Sequence, residues 1–180
     1  MKAEKRGSGV GARVAEARFV ILTGLSGSGK SHAIRALEDL GYFCVDNLPV
    51  TLVSTVASLA SRAGSDLEKV AIVVDVREGT QLSEFPTVFR RARRVRGLKP
   101  LLIFLDANDD TLIRRFSETR RPHPLAHDRP ILEGIRDERR LLRPIRRLAD
   151  EVIDTSAFTV HELRDTFLSM SRQSGRASRL

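Results

Sequence analysis

Apolar residues fall along the chain in short, mostly continuous blocks, separated by stretches in which they recur every three or four positions. The blocks are Phe19 to Thr23, Tyr42 to Val45, Val70 to Val76, Leu101 to Leu105 and Val152 to Asp154. Continuous apolar runs of this length, without polar alternation, fit strands buried on both faces, so five strands are expected. Between them the period lengthens. Ile34, Leu37 and Leu40 predict a helix over 31–40, with Gly41 placed for a left-handed C-terminal cap. A small-residue amphipathic stretch covers 50–63, and Gly64-Ser65 breaks it. Leu82, Phe85, Phe89, Ala92 and Val95 predict a helix stopped by Gly97 and Pro100, and Asp109 is expected to cap the next. Ile135, Leu141, Leu142, Ile145 and Leu148 mark a helix over 131–149, which Pro144 should kink or divide. Val160, Leu163, Phe167 and Met170 mark the last. Residues 119–130, with Pro122, Pro124 and Pro130, read as a loop or lid.

Strands alternating with helices, and no internal repeats, predict one α/β domain over 19–170, a five-stranded parallel sheet with helices on both faces. The 180 residues contain no run of 18 apolar positions, which excludes a transmembrane helix and leaves no membrane partner. Without an apolar secretory stretch, and with Cys44 as the one cysteine, the chain is expected to be cytoplasmic and free of disulfides and zinc. The net charge of +8 suggests a nucleic-acid partner until its placement is read. Residues 1–18 hold Lys2, Lys5, Arg6, Arg13 and Arg18 against Glu4 and Glu16, and residues 171–180 hold Arg172, Arg176 and Arg179 unopposed. The body keeps only a small excess. Residues 1–18 read as a disordered basic leader, with order beginning at Phe19, and 171–180 as a basic tail. Arg90 to Arg96 reads as the solvated face of an amphipathic helix, with a phosphate-backbone contact as its alternative.

The chemistry concentrates after the first strand. Gly24-Leu25-Ser26-Gly27-Ser28-Gly29-Lys30-Ser31 matches GxxxxGK[ST] between a predicted strand and a predicted helix. A chain of this composition would carry the match by chance roughly three times in a thousand. Its glycines let successive N–H groups turn inward as an anion nest at a helix N-terminus. Lys30 is expected on the β and γ phosphates of ATP or GTP, and Ser31 on Mg²⁺. The second metal contact should be an acid at a strand end. Asp75 and Asp106 both qualify, and Asp75 is preferred because the third strand of a kinase-type P-loop fold lies beside the first. Asp46 ends the second strand, either as an acceptor-binding residue or as turn chemistry before Pro49. Arg114, Arg115, Arg120 and Arg121 flank the lid, and Arg120 and Arg121, which open it, are the preferred phosphate-stabilising residues. His123 and His127 have no acid or cysteine at metal-site spacing nearby and read as solvent-exposed.

With the P-loop followed by Gly41-Tyr42-Phe43-Cys44-Val45-Asp46-Asn47-Leu48-Pro49, the chain closely resembles the bacterial RapZ/YvcJ nucleotide-binding family, the RNase adaptor proteins. Phe104-Leu105-Asp106-Ala107, the string from Thr111 to Arg121, His123-Pro124-Leu125 and Ile153-Asp154-Thr155-Ser156 extend the resemblance over about 19–170. It implies an ATP site at Gly24 to Ser31 and a GTP site at Asp75-Val76-Arg77-Glu78, where Glu78 replaces the family's Asn. One site of mixed preference is the reading adopted. The resemblance also implies an RNase partner, and small RNA and amino-sugar phosphate bound through a carboxyl-terminal domain that would follow residue 180. Homo-oligomers are a further expected partner state. The expected function is a regulatory Mg-nucleotide-binding domain with slow hydrolysis at most, Lys30, Asp75, Arg120 and Arg121 acting on the phosphates and nucleotide biasing the lid. The alternative is a small-molecule kinase, with Asp46 holding the acceptor hydroxyl.

Overall fold

The computed structural model describes residues 13, 14, 16–62 and 67–177, with side chains for all of these except 77, 78, 80 and 169–177. Five strands form one sheet: β1 (Phe19–Gly24), β2 (Phe43–Val45), β3 (Val70–Val73), β4 (Leu101–Asp106) and β5 (Glu151–Asp154). All pairs are parallel and the order is β2-β3-β1-β4-β5, which puts β1 at the centre. The helices are α1 (Lys30–Asp39), α2 (Val53–Ala60), α3 (Phe85–Arg93), α4 (Asp109–Thr119), α5 (Ile131–Leu148) and α6 (Val160–Ala177). Short 3-10 segments, Val50–Leu52 and Val76–Glu84, precede α2 and α3.

Alternation along the strands divides the core in two. Phe19, Ile21, Val70, Ile72, Leu102 and Phe104 pack with residues of α2, α3 and α5 on one face. Val20, Leu22, Ala71, Val73, Ile103 and Leu105 pack with residues of α1 and α6 on the other. Both faces of the central strands are therefore covered, as an all-parallel sheet requires.

The structure differs from the sequence reading at several boundaries. Order begins before Phe19: Arg13, Val14 and Glu16 are helical, Val14 is fully buried, and the Tyr42 hydroxyl lies 2.5 Å from the carbonyls of Val14 and Ala17. Residues 1–12 lie outside the described ones. At the other end α6 continues to Ala177, through seven residues read as tail. Asn108, not Asp109, caps α4, its side-chain oxygen accepting the Thr111 N–H at 2.8 Å. Helix α5 runs unbroken across Pro144. Pro144 and Arg140 are both exposed, so the Arg140 carbonyl that loses its partner can turn to water while Ile135, Leu142 and Ile145 hold the helix to the sheet. Among the described residues no helix is long and apolar enough to cross a membrane.

Candidate functional site

The P-loop leaves the carboxyl end of β1, between β3 and β4. Gly24 (φ 143°) allows this: a Cβ there would sit 2.1 Å from the Leu105 carbonyl oxygen of the neighbouring strand. Gly29 (φ 105°) turns the chain into α1, and a Cβ there would meet Leu163 of α6 at 2.6 Å. The loop is thus packed by a helix at Gly29, and its Leu25, Ser26 and Ser28 N–H groups are bonded to the Leu105 carbonyl, the Glu138 carboxylate and the Leu25 carbonyl.

Lys30 is largely buried. Its ammonium donates to the Gly24 and Leu25 carbonyls at 2.9 and 3.0 Å and stands 3.8 Å from Asp75 Oδ2. Asp106 is engaged elsewhere, with Oδ1 accepting from Arg139 at 2.8 Å and Oδ2 from Arg146 at 3.0 Å. Of the two strand-end acids, Asp75 is the one beside the P-loop lysine. The Ser28 hydroxyl is fully buried and has no hydrogen-bond partner among the described residues, while Ser31 is exposed at the start of α1. A glycine-rich loop leading into a helix N-terminus, with a lysine and a neighbouring carboxylate, fits a magnesium polyphosphate. The hydroxyl of Ser31 and the carboxylate of Asp75 are hard oxygen donors that could hold Mg²⁺ with water completing its shell. Among the described residues there is no cluster of three or more His, Cys, Asp or Glu suited to a metal ion.

Two further groups grip the loop. Glu138 of α5 is fully buried and its carboxylate accepts the Ser26 N–H, 3.0 and 3.1 Å from its two oxygens, and the Ser26 hydroxyl at 2.8 Å. Glu138 also meets His123 Nε2 at 3.1 Å. His123 Nδ1 accepts the Leu125 N–H at 3.1 Å, so the hydrogen-bond pattern assigns the ring proton to Nε2, which donates to Glu138. His123, expected at the surface, is fully buried against Phe116, 5.0 Å between ring centroids. The lid is consequently pinned at His123 and Ala126 while His127, Asp128 and Arg129 are exposed.

Arg115 is the second grip. It donates to the Gly27 carbonyl at 3.0 Å, to Thr155 Oγ1 at 3.1 Å and to the Thr155 carbonyl at 2.7 Å, and the Thr155 hydroxyl donates to the Ser28 carbonyl at 2.8 Å. Burial lowers the Arg115 pKa, with Arg114 adding to the effect. Hydrogen bonds from Ser156 hold Asp154 below the usual carboxylate range. The 155–158 turn after β5 is thereby fastened to the P-loop.

Other sequence-predicted residues fall elsewhere. Arg120 and Arg121 are exposed and make no hydrogen bond or ion pair with the described residues, so of the arginines flanking the lid it is Arg115 that bonds the loop. Asp46 is exposed beyond edge strand β2, followed by Asn47 at φ 52°, which is turn geometry two strands from β1. Val76 is a core residue, and the side chains of Arg77 and Glu78 lie outside the described ones. In the Arg90 to Arg96 run the arginines are exposed. Arg93 pairs with Asp150 and lies 4.7 Å over the Phe89 ring, in keeping with a solvated helix face.

The family model for the RapZ-like N-terminal domain matches residues 17–174. The chain belongs to this family. RapZ-like relatives include a protein of Myxococcus xanthus named nucleotide-binding protein, 55% identical over 147 residues, covering 82% of this chain and 50% of that one. A nucleotide-binding protein of Acidobacterium capsulatum is 45% identical over 166 residues, covering 92% of this chain and 53% of the relative. The chain spans about half the length of these curated relatives. Among solved structures, shikimate kinase from Acinetobacter baumannii superposes with TM-score 0.58 at 15% identity, covering 94% of this chain and 99% of the kinase. A gluconokinase from Sinorhizobium meliloti gives 0.55 at 14% identity, covering 88% and 94%. The RapZ-like domain therefore has the kinase-type P-loop fold.

Proposed function

We propose that this domain binds a magnesium nucleotide, ATP or GTP, at Gly24 to Ser31 and acts as a regulatory module with slow hydrolysis at most. The observation that carries the reading is the P-loop itself, with Lys30 between two loop carbonyls and the Asp75 carboxylate. The RapZ-like relatives are named for nucleotide binding, which supports the same assignment. In this reading Lys30 stabilises β and γ phosphate charge, and Ser31 and Asp75 hold the metal. Mg²⁺ neutralises phosphate charge when bound. Arg115 and Glu138 fix the loop's position. Nucleotide would be sensed at Ser26 and relayed through Glu138 and His123 to the lid, biasing its position and hence its contacts with protein partners. RNase and small-RNA partners would act through parts of the longer relatives that this chain does not span.

A small-molecule kinase is the second reading, favoured by an arginine-lined cavity beside Leu25. The two readings separate when the purified chain is incubated with magnesium, γ-labelled ATP or GTP and a metabolite extract, alongside Lys30→Ala. Nucleotide binding with slow phosphate release is the expected result. A labelled small acceptor that vanishes in Lys30→Ala would replace the regulatory reading with the kinase, and absence of any nucleotide binding would sink both.

A further inference from the structure

A cavity of about 270 Å³ opens between α5, the end of β4 and the second residue of the P-loop. Leu25 and Phe104 are its buried apolar lining, and Asp106, Arg139, Arg143 and Arg146 are its polar lining. The three arginines recur at i, i+4 and i+7 and so share one side of α5. Asp106 gives one oxygen to Arg139 and the other to Arg146, which fixes both guanidinium groups. Arg139 is fully engaged, bonding Asp109 and the Ala107 carbonyl as well. Among the described residues Arg146 bonds only through Nε, and its outer N–H groups have no partner there. Arg143 has no hydrogen bond or ion pair with the described residues. Two carboxylates, Asp106 and Asp109, thus face three guanidinium groups, and neighbouring arginines three and four positions apart repel each other along the helix. An anion held between Arg143 and Arg146 would relieve that repulsion and use their idle donors in charge-assisted, forked hydrogen bonds.

We propose that this cavity is a second anion site, which takes the phosphate or carboxylate group of a small molecule. That the molecule lies beside a bound nucleotide rests on the P-loop reading, through Leu25, whose carbonyl accepts from the Lys30 ammonium. The volume sets the size of the ligand. It falls just under the range of about 300–1,000 Å³ that holds drug-sized molecules, which suits a compact metabolite and not a second nucleotide.

The test uses the whole chain saturated with magnesium and a non-hydrolysable ATP analogue, so that the P-loop is filled. Inorganic phosphate and, separately, acetate are titrated at constant ionic strength while the arginine Nε–H resonances are followed by NMR. Saturable shifts of Arg143 and Arg146 are expected, with a smaller shift of Arg139, and the phosphate affinity read at Arg139 should weaken by about tenfold or more in the Arg143→Gln, Arg146→Gln double variant. Tighter phosphate binding assigns a phosphomonoester and tighter acetate binding a carboxylate. Shifts that chloride reproduces, that never saturate, or that survive with undiminished affinity in the remaining arginines of the double variant overturn the proposal. The same titration of Lys30→Ala, which lacks the P-loop lysine, reads the cavity even if the chain binds no nucleotide. Failure of the nucleotide reading is then seen separately from failure of this one.

Discussion

Glu138 and Ser26 stand 112 residues apart in the chain and are joined by three hydrogen bonds sealed from water. The same carboxylate accepts from His123, so one buried anion ties the P-loop, the lid and α5 together. Replacing it by Ala strands the Ser26 amide, the Ser26 hydroxyl and the His123 ring without partners. Glu138→Ala should cost about 3 kcal/mol. Glu138→Gln keeps one good acceptor and should cost about half as much. Urea unfolding of both variants checks this, and an Ala variant as stable as the parent would show the contact to be incidental.

Gly134 lies inside α5 where the lid crosses it. A Cβ there would sit 2.6 Å from His123 Nδ1 and 2.7 Å from the Ala126 Cβ. Helix propensity alone says that Gly134→Ala gains about 1 kcal/mol, whereas the lid contact says that it loses about 1–3 kcal/mol by overpacking. The second outcome is expected, together with faster proteolysis within residues 119–130. A stabilised variant with an unchanged cleavage rate would mean that the lid does not rest on α5.

The fold and the P-loop were legible because their signals are local. Apolar blocks such as Leu101 to Leu105 give strands, the period of Leu82, Phe85, Phe89 and Ala92 places buried residues, and Gly24 to Ser31 carries its own geometry. The grips on the loop were not legible in the same way. Arg115 and Arg121 look equivalent in sequence, and only the position of the Thr155 turn, 40 residues on, makes Arg115 the bound one. Glu138 did leave a trace. It falls on the buried stripe of Ile135, Leu142 and Ile145, and an acid on an apolar stripe needs a partner. His123 left none, because burial of a proline-rich loop depends on packing that periodicity does not report. Val14 was missed for a similar reason: one buried residue among charges makes no pattern.

Lys30→Ala should abolish nucleotide binding, and the structure adds a stability cost that phosphate contact alone would not bring. The ammonium satisfies the Gly24 and Leu25 carbonyls and neighbours Asp75 in a nearly buried setting. A loss of about 1–3 kcal/mol with cooperative unfolding retained is expected in thermal denaturation. A variant that is unfolded in buffer, or one that still binds nucleotide, would contradict this account.

Tyr42 offers a pH test, since it is the only tyrosine and the chain has no tryptophan. Burial, with Cys44 adding to it, pushes the phenol up from 10.0 to about 12. The unfolded chain therefore loses this proton first as pH rises. The contribution is whole below pH 10 and disappears as pH climbs through about 12. Phenolate absorbance should rise with a midpoint near 12 in the folded chain. A midpoint near 10 before any unfolding would mean that the hydroxyl is not held by Val14 and Ala17.

Three helices reach the P-loop from three directions: α5 through Glu138, α6 through Leu163 against Gly29, and α4 through Arg115. A glycine-rich loop free in solution would have many conformations to surrender when phosphate arrives, at about 1–2 kcal/mol for each residue fixed. Here that surrender has already happened during folding. Phosphate would meet a loop whose shape is settled, so little of its binding energy would be spent on ordering the loop.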